Sequence, residues 1–454
     1  MSRALESLPG LSRPSSRAWV GLVLLAAGLL GPAVAGGLRA PASRFVVVYA
    51  VAAAGFLLLV SARDALPLRA ILVVAVLLRL AFLPLAPTLS DDYHRYLWDG
   101  CVQLAGVNPY RYPPQDARLD AVDYPERGLV NHPHLRTPYP PLAQAVFLGL
   151  AGAGGGLLAL KLLLGVADLL LAAAVWWLAG AARRRRALLL YLVCPFVIVE
   201  TWWSAHLDVV AALFVVLAVG LLARRRDAPA GVALAVAALV KVTPLALVVP
   251  ALLGRRARPL PFLLGFVPAL VLPALPYALT GGVFGSLFEA GTAWKAESAV
   301  FDVAAAGLLA LSLLFRGRAQ TAAVFAWSWT LVVLLLPSVH PWYWIGPAAL
   351  GLAAGVWTPV LLGLAAPLRY ARWPQTLRAD LLVSIVTYLP ALATLPELVA
   401  ACRRRTAGLV PGHATGTRGP ELSVIAARSH NGAVPGTSGR GPEGTVMTAA
   451  ADHG

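Results

Sequence analysis

Residues 90–110, SDDYHRYLWDGCVQLAGVNPY, form a polar island between long apolar runs. Two adjacent carboxylates, Asp91 and Asp92, follow the apolar run Ile71 to Leu89, so they fall just outside a bilayer that this run would cross. The residues after them have helical spacing. Tyr93, Leu97, Cys101 and Leu104 share one face, and Asp92, Arg95, Asp99 and Gln103 share another. That pattern predicts an amphipathic helix lying at the membrane interface. Gly106 suits a left-handed cap and Asn108-Pro109 a turn. Asp92 and Asp99 then lie on one side of the helix, roughly 10 Å apart at about 1.5 Å per residue.

Outside the island, composition sets the class. Hydrophobic residues make up 59% of the 454 and charged residues 13%, and the apolar residues come in blocks of membrane-spanning length. The chain reads as an all-α polytopic membrane protein. Its net charge of +16, from 37 Lys plus Arg against 21 Asp plus Glu, does not imply nucleic acid. Many arginines sit in short clusters between apolar runs (Arg183–Arg186, Arg224–Arg226, Arg255–Arg258 and Arg403–Arg405), as in loops retained in the cytoplasm. Cys101, Cys194 and Cys402 are far apart and imply neither a disulfide framework nor a zinc site. Arg13 and Arg17 precede an apolar run that is long enough to span and lacks a small-residue cleavage site, so the run from Trp19 is expected to be an anchor.

In chain order, Trp19 to Leu38, Phe45 to Val60 and Leu68 to Pro87 predict three spans, followed by a large external loop over 88–138. Tyr139 to Leu150 predicts an interfacial or re-entrant helix, and Gly156 to Gly180, Ala187 to Trp203 and Val209 to Ala223 predict three crossings. Gly231 to Leu253 has arginine clusters at both ends. A single crossing would leave one cluster outside, so the expectation is a hairpin of two short helices with Lys241-Val242-Thr243-Pro244 at its tip. Broken helices are tolerated at membrane depth only where they line a cavity inside the protein, which places Lys241 in a polar chamber. A crossing over Leu260 to Thr280, a second external loop over 281–302, further spans to Cys402 and a disordered tail over 403–454 complete the expected order, with residues 1–402 as the membrane domain.

Polar groups without an obvious structural purpose collect on the predicted external side: Asp91, Asp92, Asp99, Arg95, Arg111, His132, His134, Tyr139, His206, Asp208, Lys241, Lys295 and His340. Carboxylates with scattered cations suit a substrate bearing hydroxyls and phosphate. One carboxylate can take the proton of an attacking hydroxyl. Lys241, Arg95, Arg111 or His340 can hold a departing phosphate. A phosphate leaves without help from a second carboxylic acid, which favours transfer from a phosphate-activated donor over hydrolysis.

Taken together, SDDYHRYLWDG, GVNPYRYPP, TPYPPLAQ, SAHLD, LVKVTP and SVHPWYW resemble the bacterial membrane glycosyltransferases of the GT-C superfamily, near glycosyltransferase family 87 and the polyprenol-phosphomannose-dependent mannosyltransferases. The resemblance runs from about Leu68 to Cys402. It implies a bundle of about 11 to 14 transmembrane helices with a large first external loop. It also implies a polyprenyl-phosphate sugar donor, a lipid or glycan acceptor, and transfer of a hexose, foremost mannose, on the external face of the cytoplasmic membrane. Asp91 and Asp92 then occupy the acidic motif that carries the catalytic base, and Lys241 matches a Lys-x-Thr-Pro element. Arg95, Asp99, Arg111, Tyr139, His206, Asp208, Lys241 and His340 are the candidate substrate-binding residues. No metal and no cofactor are expected, and the partners are membrane lipids, donor and acceptor, without nucleic acid.

Plainer roles compete for each residue. Asp91 and Asp92 could cap the interfacial helix, Asp99 and Asp208 could serve in ion pairs, and His206 and His340 could belong to an aromatic belt. Lys161 and Asp168 read as a structural pair. A transporter or lipid flippase with an externally open polar cavity is the alternative function. The absence of an internal repeat in the sequence and the gathering of polar residues in loops count against it. An acyltransferase or phosphotransferase would share the chamber, but no GxSxG nucleophile motif is present.

Overall fold

The computed structural model describes residues 14–34, 42–62, 66–253, 258–283, 321–336 and 339–370, with a few isolated positions besides. Trp294, Lys295, Glu297 and Asp302 of the second loop, the Arg316–Arg318 turn, the spans expected between Tyr370 and Cys402 and the 403–454 tail lie outside the described residues. Among the described residues the protein is helical throughout, with no strand.

The apolar runs become helices close to the expected limits. Helices α1 (Ser16–Val34), α2 (Ala42–Ser61) and α3 (Leu68–Phe82) precede the island. Helix α4 (Asp92–Leu104) covers the residues expected to form an amphipathic helix, and Gly106 follows it at φ +75°, the left-handed conformation that glycine adopts at least cost. Helices α5 (Pro141–Gly152), α6 (Leu157–Leu178), α7 (Arg184–Leu192) and α8 (Pro195–Ile198) come next. A π-helical turn over Val199–Trp203 continues α8, and the run from Arg184 is bent by 51° at Pro195. Helix α9 (Asp208–Ala223) and helix α10 (Asp227–Val240) lead to the break at Lys241.

Among the described residues, three helices are long and apolar enough to cross a membrane (Arg44–Ser61, Leu157–Leu178 and Pro259–Leu279), or four if the bent pair forms one span. Their exposed sides are apolar, as lipid contact requires. Leu158, Leu162, Val166, Leu169 and Leu170 face outward on α6, as do Leu260, Leu264 and Val267 on α12 (Pro259–Val271). Helix α9 is the buried centre: Val209, Ala212, Val215, Val216 and Val219 are sealed among α6, α10 and Ile345–Ala354. Two charged groups inside this core, Asp168 and Lys161, are held by hydrogen bonds. Asp168 accepts from Arg79 Nε at 2.9 Å, Tyr191 Oη at 2.8 Å and Trp202 Nε1 at 2.9 Å. Lys161 donates to the carbonyls of Phe82 and Leu85, so Lys161 and Asp168 are structural but not partners of each other.

Two of the arginine clusters, Arg183–Arg186 and Arg224–Arg226, lie at the end of the helices opposite the acidic island. Arg186 donates to Ala62 and Val60 at the end of α2, and Arg224 donates to the carbonyl of Trp177 at the end of α6. At the other end, the start of α6 meets the end of α3 through Lys161, and Trp203 donates to Ala86. The break at Lys241 also works as the arginines demanded. Lys241 is extended, at φ −142° and ψ 142°, and a 3-10 turn, Thr243–Leu247, leads into α11 (Val248–Leu253). Gly231 abuts Phe262 and Gly265 abuts Ala228, so α12 starts beside the start of α10 and the intervening chain has returned to that end. The two arms do not pack along one another as a tight hairpin would. The Thr243–Leu247 turn packs instead on a later helix, Thr321–Leu334, here α14. The run from α12 passes through Leu272–Ala274 into α13 (Leu275–Leu279). Beyond α14, a 3-10 turn, Pro341–Trp344, opens α15 (Ile345–Ala354), and α16 (Thr358–Ala365) ends in Ala366–Tyr370.

Candidate active site

The large loop between α4 and α5 is folded rather than loose. Trp98 and Val102 of α4 enclose a small core with Leu119, Val122 and Val130. Arg127 closes it, donating to the carbonyls of Pro114 and Asp116 while its guanidinium lies 5.1 Å over the Trp98 ring. Asp99 ties the returning strand of the loop to the helices. It accepts from Arg95 at 3.1 Å, Thr137 at 2.5 Å and Gln144 at 2.8 Å. Arg95 also holds the carbonyl of Leu135 at 2.9 Å. Gly100 permits this arrangement, because a Cβ there would sit 2.4 Å from the carbonyl oxygen of Phe147 on α5. The polar face of α4 is therefore mostly its buried face: Arg95 and Asp99 are both 2% exposed.

At the start of α4 this network ends in an open cavity of about 1100 Å³. Its lining includes the polar residues Asp91, Asp92, Asn131, Tyr139 and Lys241 and the apolar residues Leu245, Ala246, Val332 and Leu336. Asp92 is half-buried and Asp91 exposed. Asp91 stands at the N-cap position, yet its side chain makes no capping hydrogen bond to the helix. Both carboxylates instead accept from Asn131 Nδ2, at 2.9 Å for Asp91 and 2.7 Å for Asp92. Asp92 also accepts from Tyr139 Oη at 3.4 Å. Burial holds its carboxyl above the ordinary range, against the opposing pull of Lys241 and the Asn131 hydrogen bond.

Lys241 reaches the cavity from the helix break. Its Nζ lies 3.1 Å from Asp208, 5.3 Å over the Tyr139 ring and 5.7 Å over the Tyr343 ring. Asp208 does not line the cavity and stands behind Lys241. His340 lines the cavity and stacks on Trp342 at 4.5 Å, while His206 covers the other contact of that indole at 3.7 Å and pairs with Glu200 at 3.0 Å. Burial, followed by Lys241, Arg369 and His132, lowers His340 to about 4, so it is neutral near pH 7. Arg111 is exposed beside the Tyr112 ring and lies off the cavity.

The cavity thus gathers Asp91, Asp92, Arg95, Tyr139, Lys241 and His340 from the sequence candidates, and leaves Asp99, Arg111, His206 and Asp208 outside its lining. Sequence reasoning passed over Asn131, Trp342, Tyr343, Arg369 and Tyr370 as site residues. Asn131 stands in a polar loop with no motif of its own, so the sequence carried no signal for it. Among the described residues no group of three or more His, Cys, Asp or Glu is gathered as metal ligands.

No curated protein and no solved structure matches the chain. Residues 18–255, just over half of it, match the family described as alpha-(1->6)-mannopyranosyltransferase, N-terminal domain, and this span holds Asp91, Asp92, Asn131, Tyr139, Asp208 and Lys241. With its apolar helices of spanning length, the chain belongs to this family and is a mannosyltransferase-like membrane glycosyltransferase.

Proposed function

We propose that the protein moves mannose from a polyprenyl-phosphate carrier to the 6-hydroxyl of a mannose-bearing lipid or glycan, on the external face of the cell membrane and within a GT-C-type bundle. One observation carries this reading: a half-buried carboxylate, Asp92, and a cation, Lys241, meet around one tyrosine, Tyr139, in a cavity that is also lined by apolar side chains. The family description supplies the sugar and the linkage. The external side is supported by the arginine clusters at the opposite end of the helices.

Asp92 is the base. Its Oδ1 is occupied by Asn131, and its Oδ2 has only a long contact with Tyr139. The acceptor oxygen attacks the anomeric carbon as Asp92 takes its proton, and the carbon–oxygen bond to the carrier phosphate breaks with inversion. Lys241 faces the charge that develops on the leaving phosphate, and Asp208 behind it fixes the ammonium. Leu245, Ala246, Val332 and Leu336 offer an apolar bed for the first units of the carrier chain.

The test is transfer from radiolabelled polyprenyl-phosphate mannose in membranes containing wild type, Asp92→Asn or Asp91→Asn, with crude acceptor glycolipids. Transfer should vanish in Asp92→Asn and persist, reduced, in Asp91→Asn. Wild-type rates in a folded Asp92→Asn protein would remove Asp92 from the mechanism.

A further inference from the structure

Two like charges on consecutive residues should swing apart, yet Asp91 and Asp92 converge on one nitrogen. Asn131 Nδ2 has two hydrogens, and the distances of 2.9 and 2.7 Å give one to each carboxylate. Only the NH2 end of the amide can face two carboxylates, because its oxygen would be a third acceptor. An arginine or lysine in the same place would also hold the pair, but its charge would strip Asp92 of basicity. A neutral double donor orients without neutralising.

The loop is built to deliver this amide. Just before it, Val130 is sealed in the small core beside α4. Just after it, His132 takes φ +46°, a left-handed conformation that costs energy for a residue with a Cβ. The chain is then pinned by the Gln115 amide on the Pro133 carbonyl, by Arg95 on the Leu135 carbonyl and by Thr137 on Asp99. Arg95 and Asp99 lie one and two turns along the helix that begins with Asp92, so one rigid body carries both the carboxylate and the clamp that sets Asn131 over it.

We propose that Asn131 is a positioning residue for transfer: it holds Asp92 Oδ1 so that Oδ2 faces the acceptor hydroxyl, and makes Asp91 the tethered partner rather than a second base. This inference rests on the assignment of Asp92 as the base. The groups that face Asp92 are Asp91 beside it, Tyr96 on its own helix, Tyr139 from the loop, Lys241 with Asp208 behind it, and Tyr343 and Tyr370. His132, Arg136, His340 and Arg369 line the same cavity. A neutral replacement of Asn131 leaves all of these in place and adds no charge, so a change in pH profile in Asn131→Ala reports the amide itself.

The experiment uses the full chain in lipid nanodiscs with polyprenyl-phosphate mannose and a mannoside acceptor, comparing wild type, Asn131→Asp, Asn131→Ala and Asp92→Asn. Asn131→Asp keeps the shape, replaces the donor by an acceptor and adds a negative charge that pushes Asp92 the same way, so Asn131→Ala, which adds none, isolates the loss of the amide. Its kcat should fall about ten- to a hundredfold with little change in the donor KM, as expected for loss of a hydrogen bond to a charged group. The acid limb of its kcat should move to higher pH, because a donor that favoured the carboxylate is gone. Asn131→Ala should do the same to a smaller degree. Thermal unfolding reports whether each variant is folded, and if Asn131→Asp is not, Asn131→Ala decides. Wild-type kcat with an unmoved limb in a folded variant, beside an inactive Asp92→Asn, overturns the proposal. So does activity that falls only in step with the folded fraction at a wild-type limb, which is the behaviour of a plain loop staple. An active Asp92→Asn defeats the base assignment instead, a separate result.

Discussion

Asp92 and Asp99 lie on one helix, seven residues apart, and their surroundings are opposite. Asp99 is sealed and fully engaged, with Arg95, Thr137 and Gln144 occupying its oxygens. Asp92 has one firm donor, one long one, and a cavity in front. A carboxylate whose lone pairs are all satisfied is positioned but spent. One left partly unsatisfied beside solvent keeps its basicity for a substrate. The same division separates two lysines in apolar runs. Lys161 is buried on the carbonyls of Phe82 and Leu85, whereas Lys241 lines the cavity with an aspartate behind it.

Substitution at both aspartates gives the sharpest way to break this contrast. Asp92→Asn should cost about a thousandfold in transfer, within the usual range for a general base, and leave thermal unfolding in place. Asp99→Asn should instead destabilise the fold by about 3 kcal/mol, because it leaves the buried Arg95 without its carboxylate. Its residual transfer should follow the folded fraction. Equal losses of transfer per folded molecule in the two variants would erase the distinction. The lysines follow at smaller scale. Lys241→Met should lower kcat/KM about ten- to a hundredfold through the lost contact to phosphate. Lys161→Met should leave transfer per folded molecule unchanged and shift stability by about 1–2 kcal/mol.

Periodicity made the helices legible, because an apolar run of spanning length has few other fates. The break at Lys241 was legible for a harder reason, since arginines at both ends of Gly231 to Leu253 excluded a single crossing. The divergence of its two arms was not, because it depends on Thr321–Leu334 packing against the turn from 70 residues or more along the chain. The site was partly legible for the same reason. Asp91, Asp92 and Lys241 are each unusual where they stand, and an unusual residue announces itself. Asp99 was expected to bind substrate because helical spacing gives the face it shares with Asp92 but not the neighbours, and these, Thr137 and Gln144, come from the far end of the loop. Asn131 is ordinary by composition, and only the fold brings it to the carboxylates.

The smallest effect, and the one that tests the electrostatics most directly, lies in the pH profile. A general base acts only when ionised, so kcat/KM must fall as pH drops through the value at which Asp92 gains a proton. Burial raises that value, Lys241 and Asn131 lower it, and Asp91 raises it. The acid limb should therefore lie above the ordinary aspartate value of about 4. His340, lowered to about 4, stays neutral over the working range and makes no limb at the ordinary histidine value of about 6.5. Removing the cation moves both groups upward, so the starting point of the limb and not its direction distinguishes them. In Lys241→Met the carboxylate loses its counter-charge, so its limb should move to higher pH. A histidine limb would also rise when a neighbouring cation is removed, but from below, starting near 4, where the wild type should show none. A wild-type limb above the ordinary aspartate value that rises further in Lys241→Met belongs to Asp92. One that stays fixed means that the proton is taken by a group out of reach of Lys241.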